Sequence, residues 1–113
     1  NVKEINLNIF EGCFNLKEII ISNENLNYKS EQNIIYDKNI KKLLYYPKGL
    51  ENKTLIIPEG IEIIEKESFK NSKLKRFLLP NSLKRIEEYS FYMNQNIEII
   101  IIPPNVQYIG KKV

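Results

Sequence analysis

The chain has 113 residues, with 17 Lys plus Arg against 14 acidic residues, a net charge of +3, no His and a single Cys. That charge is small and scattered, and no Lys/Arg run interleaves with stacking aromatics, so no nucleic-acid-binding face is expected. At 42% hydrophobic and 27% charged residues the composition suits a packed structure rather than disorder. The missing His and lone Cys13 leave no zinc pattern, intrachain disulfide or imidazole base.

A phrase recurs along the sequence. Pro58-x-x-Ile61-x-x-Ile64-x-x-x-Ser68-Phe69, then Leu74-x-x-Phe77-x-Leu79, is restated by Pro80-x-x-Leu83-x-x-Ile86-x-x-x-Ser90-Phe91, then Ile97-x-x-Ile100-x-Ile102. The prolines at 58, 80 and 103 stand 22 and 23 residues apart. A fixed period of this length predicts a solenoid, in which each repeat buries its apolar face against its neighbours. The expected architecture is mostly β: a ladder of parallel strands joined by short single helical turns.

In chain order, the first copy spans about residues 1–22 and lacks its proline, but keeps Val2, Ile5, Ile9-Phe10, Cys13, Leu16, Ile19 and Ile21. The stretch Leu16-x-x-Ile19-x-Ile21 alternates at period two and reads as a strand. Cys13 falls in the column that Asn94 occupies later, and is expected to turn inward at a bend.

Residues 23–53 break the period. Asn23-Glu-Asn25-Leu-Asn27 signals a turn. Asn33-Ile-Ile-Tyr36 and Lys42-Leu-Leu-Tyr-Tyr46, flanking Asp37-Lys-Asn39, read as an inserted β-hairpin that leaves at Pro47-Lys-Gly49 and replaces one helical turn. Repeats then occupy residues 54–79 and 80–102, with a partial one at 103–113. Pro58, Pro80 and Pro103 each close a strand, because proline cannot donate the next ladder hydrogen bond. Glu65-Lys-Glu-Ser68-Phe69 and Glu87-Glu-Tyr-Ser90-Phe91 suit a single helical turn that drops its Phe into the core, and Phe10 shares that phase.

These residues resemble the BspA-like, Treponema-type leucine-rich repeat family, whose pattern is roughly Pro-x-x-Val-x-x-Ile-Gly-x-x-Ala-Phe-x-x-Cys-x-x-Leu-x-x-Ile-x-Ile. The match covers nearly the whole chain. Glu65 and Glu87 stand where the pattern has Gly, which survives at Gly110, and Ser68 and Ser90 stand where it has Ala. The insert looks like the hairpin island common in this family. The resemblance implies a leucine-rich-repeat solenoid from a surface or secreted protein of a bacterium or parasitic protist, binding host or matrix proteins. Its motif is structural and carries no catalytic, cofactor or metal residue.

The remaining polar residues suit ordinary surface roles. Glu62, Glu65, Glu67, Glu87 and Glu88 interleave with Lys66, Lys70, Lys84 and Arg85, as on a solvated face rather than a pair of catalytic carboxylates. The glycines never cluster into a phosphate-binding loop. The run 99–102 is too short to span a bilayer. The chain starts in mid-repeat without Met and stops one residue before the next expected Phe, so it reads as part of a longer protein.

Two groups stand out as candidate protein-binding surface. One is the outward column of the strands, Ile20, Ile56, Leu78 and Ile101 with Ile99 beside it, apolar where a solvated face would be polar. Three covers suggest themselves: the hairpin, a partner protein or a second copy of this chain. The other group is Tyr36, Tyr45 and Tyr46 of the insert, with Tyr28 nearby, since Tyr is a favoured interface anchor; the alternative is that these rings seal the hairpin onto the solenoid. The expected function is non-enzymatic protein–protein binding without a cofactor. The alternative is a structural spacer displaying another domain.

Overall fold

The computed structural model describes residues 4–39 and 41–113. Among these residues a short 3-10 helix, Leu7–Phe10, precedes nine strands: β1 (Tyr28–Glu31), β2 (Ile34–Asp37), β3 (Lys42–Tyr45), β4 (Thr54–Ile56), β5 (Ile63–Ile64), β6 (Arg76–Leu78), β7 (Arg85–Ile86), β8 (Ile99–Ile100) and β9 (Tyr108–Ile109). They form two sheets that sandwich the core. One runs β4-β6-β8, and the other β1-β2-β3-β5-β7-β9.

The repeat period appears directly as ladder register. In the first sheet, all parallel, Leu55 pairs with Phe77 and Phe77 with Ile100. In the second, Leu43 pairs with Ile64, Ile64 with Ile86, and Ile86 with Ile109, again in parallel. Side chains alternate across a strand, so these columns face inward while their neighbours face out, with Ile109 in the last strand still 50% exposed. Ile61, Ile64, Phe69, Leu74, Leu83 and Ile86 are completely buried between the sheets.

The phased aromatics stack through this core. The Phe69 ring lies 5.3 Å from Phe91 at an interplanar angle of 6°, and 5.0 Å edge-on from Phe77. Phe10 does not join the column: half-buried, it stacks 4.8 Å from Tyr45. Its expected place is taken by Tyr46, 5.3 Å from Phe69 on the far side from Phe91. The main chain agrees, because the Tyr46 N–H donates to the Ser68 carbonyl as the Phe69 N–H donates to that of Ser90.

The hairpin is present as β2–β3, antiparallel, with β1 added antiparallel outside β2. It does not replace a turn. Its return strand β3 occupies the ladder position of β5, β7 and β9, and the turn after it is kept, with Tyr46 in the Phe column.

The expected helical turns are instead successive tight turns. Ser68 N–H donates to Glu65 C=O, Lys70 to Glu67 and Ser72 to Phe69, each closing three residues back. Residues in the left-handed region interrupt any helix: Glu67 (φ 61°) and Asn71 (φ 63°), repeated at Tyr89 (φ 58°) and Met93 (φ 62°). Cys13 is exposed rather than inward. In its column the buried Ser72 hydroxyl bonds the Asn94 side chain, and the Asn94 amide donates to the carbonyls of Phe69 (2.6 Å) and Phe91 (2.7 Å).

Candidate protein-binding face

The outer face of β4-β6-β8 carries the apolar column that the sequence singled out. Ile56 pairs with Leu78 across β4 and β6, and continuing the β6–β8 register sets Ile101 beside Leu78. Adjacent strands lie about 4.8 Å apart, so the three side chains form one row. Ile99, partner of Arg76, stands in the next row. All four are solvent-exposed: Ile56 66%, Leu78 49%, Ile99 59% and Ile101 68%. Ile102, read as inward, is 43% exposed.

The hairpin does not cover this face, because its strands belong to the other sheet. Tyr36, Tyr45 and Tyr46 are correspondingly withdrawn from any surface, at 1–4% exposure. Of the two roles read for them, interface anchor and seal, the anchor does not hold: the rings pack inward and seal the hairpin, which needs a buried face to be stable. Burial pushes all three hydroxyls up to about 12, with Glu31 adding to Tyr36, and Cys13 and Glu11 to Tyr45. Near Tyr46, Asn52 favours the ionised form, but burial outweighs it.

Ile20 also departs from expectation. It is exposed, but residues 16–22 form no strand, so it has no ladder neighbour in the row.

Charges mark the opposite sheet. Glu62 sits 3.0 Å from Lys84 and 3.8 Å from Lys41, and Arg85 Nε 2.7 Å from Glu87. The Lys84 hydrogen bond and charge hold the Glu62 carboxyl below its ordinary range. A general acid needs the opposite shift, so the Glu62 carboxyl is held in its charged form beside Lys84. The Arg85 guanidinium also lies 4.2 Å over the Tyr108 ring. On the apolar face the only ion pair among the described residues is Arg76–Glu98, at 3.9 Å. No group of three or more metal-ligating side chains occurs among the described residues. No helix there is long and apolar enough to cross a membrane.

The sequence profile of the BspA type leucine-rich repeat region matches residues 1–52 and 48–113, in six copies. The chain belongs to this family. Among solved structures it is similar to a leucine-rich repeat protein from Eubacterium ventriosum, with 30% identity over 86% of this chain and a TM-score of 0.82. It is also similar to the pneumococcal vaccine antigen PcpA, with 27% identity over 84% of this chain and a TM-score of 0.65. It spans 26% and 29% of those two chains, so it corresponds to about a quarter of each. No curated protein matches it significantly. The family and both neighbours are consistent with a repeat module in which the two ladders are structural.

Proposed function

We propose that this leucine-rich-repeat module binds another protein through the outer face of β4-β6-β8, as a non-enzymatic part of a larger protein on or outside the cell. The observation that carries the reading is the in-register row Ile56–Leu78–Ile101, with Ile99 alongside, left open to solvent. A parallel sheet ordinarily has both faces covered, and a contiguous exposed apolar patch marks a place where another surface packs. A pure spacer has no need of such a row and would carry polar residues there. The ligand would be a protein, such as a host or matrix protein, and a second copy of this chain is the competing occupant. Likeness to a vaccine antigen supports placement outside the cell.

The test compares adhesion of beads coated with the module to purified matrix proteins and to host cells. Leu78→Glu should abolish adhesion, whereas Lys84→Glu on the other sheet should not. Sedimentation of both variants separates loss of ligand from loss of self-association. Equal adhesion by Leu78→Glu and the parent would refute the reading.

A further inference from the structure

The β4-β6-β8 sheet ends at β4. The Lys53 carbonyl accepts from the Arg76 N–H, and the Ile57 N–H donates to the Leu78 carbonyl, so residues 53, 55 and 57 turn their main-chain groups toward β6. Successive residues of a strand alternate in this respect, so Thr54 and Ile56 turn theirs the other way. Neither has a main-chain partner there among the described residues. A groove of about 650 Å³ runs along this edge, between Thr54 and Ile56 on one side and Glu31, Gln32 and Tyr36 of the β1–β2 hairpin on the other.

Residues 16–21 carry the same phrase as 74–79 and 97–102 but form no strand. Their exposure still alternates as a strand's would: Ile19 and Ile21 are half-buried and Ile20 is exposed. The segment is fixed at both ends. The Leu16 carbonyl accepts from the Gly49 N–H at 2.7 Å, and the Ile21 N–H donates to the Ser30 hydroxyl of β1 at 2.9 Å. By repeat phase, Ile21 corresponds to Ile57, whose N–H donates to the next strand's carbonyl at Leu78. The ladder partner for the Ile21 N–H is therefore the free carbonyl of Ile56, and Ser30 holds the donor instead.

We infer that residues 17–21 are a strand latched off the β4 edge by the Ser30 hydroxyl, and that transfer of the Ile21 N–H from Ser30 Oγ to the Ile56 carbonyl docks them as a fourth parallel strand. Docking sets Ile20 beside Ile56 and lengthens the apolar row. The Thr54 and Ile56 N–H groups then donate to the Lys17 and Ile19 carbonyls, as the Arg76 N–H donates to that of Lys53. This concerns the backbone edge and holds whether or not the outer face binds a protein.

Amide hydrogen exchange followed by NMR tests it. Ser30→Ala removes the competing acceptor and should slow exchange at Thr54 and Ile56, with about fivefold, the effect of one net hydrogen bond, as the ceiling. Arg76, already within the ladder, should keep its rate. Adding Ile19→Lys, which would drive a charge into the docked interface, should reverse the slowing. Unchanged rates at Thr54 and Ile56 with Arg76 still protected would overturn the latch, as would slowing that survives Ile19→Lys. If Ser30→Ala lowers protection at Arg76, the near-isosteric Ser30→Cys, a weaker acceptor, is read in its place.

Discussion

Truncating Phe69 to Ala removes the centre of the aromatic column. The ring has no solvent exposure and meets Tyr46, Phe77 and Phe91 at 5.3, 5.0 and 5.3 Å. A buried Phe→Ala change costs about 3–5 kcal/mol, and three ring contacts, each adding about 0.5–1.5 kcal/mol beyond area burial, place this one at the upper end. Solenoid repeats touch only their neighbours, so the void falls between adjacent repeats and nothing outside that interface can fill it. Phe10 provides the contrast, since it is half-buried and stacks on Tyr45 alone. Phe10→Ala should cost only about 1 kcal/mol, being mostly one aromatic pair. Urea unfolding monitored by circular dichroism, with equal slopes confirming comparable transitions, measures both. A Phe69→Ala cost no larger than that of Phe10→Ala would refute the stacked-column account of the core.

Four further outcomes follow from the same geometry. Leu78→Glu should leave the melting transition nearly unchanged because its side chain points to solvent, whereas Phe77→Glu, one residue away and buried, should prevent folding. Asn94→Ala should cost about 1–3 kcal/mol, because it strips the donor from the Phe69 and Phe91 carbonyls; thermal melts check this. Gly49→Ala should destabilise by about 1–3 kcal/mol, since its Cβ would collide with the main chain at Leu16 and Asn15. Tyr36, Tyr45 and Tyr46 ionise near 12 when folded against 10 when exposed, so their contribution is complete below pH 10 and is lost as pH rises towards 12. At about 1.4 kcal/mol per unit this is roughly 2–3 kcal/mol each, and phenolate absorbance should rise together with unfolding.

The repeat phase was legible because burial recurs with it: Ile61 and Leu83, Ile64 and Ile86, and Phe69 and Phe91 are equivalent in both sequence and core. The outward row was legible for the same reason, since period two separates Phe77 from Leu78 without any knowledge of the fold. What sequence hid lies where two residue types do one job. Tyr46 fills a Phe position, so the insert looked out of phase although its return strand continues the ladder. Glu67 and Tyr89 take left-handed backbone without being Gly or Asn, which removed the usual mark of a bend and let the stretch pass as a helical turn. The tyrosines of the hairpin were ambiguous because an interface anchor and a sealing ring share one composition. Only the sheet to which the hairpin belongs decides between them, and that depends on tertiary pairing.

The binding claim is tested most directly by photo-crosslinking from two positions of otherwise identical protein. A photoreactive side chain at position 78, on the apolar face, should form covalent adducts with a matrix or host protein, and excess unlabelled module should compete them away. The same group at position 84, on the charged sheet, should give none. Adducts of equal yield from both positions, or from position 84 alone, would contradict the account.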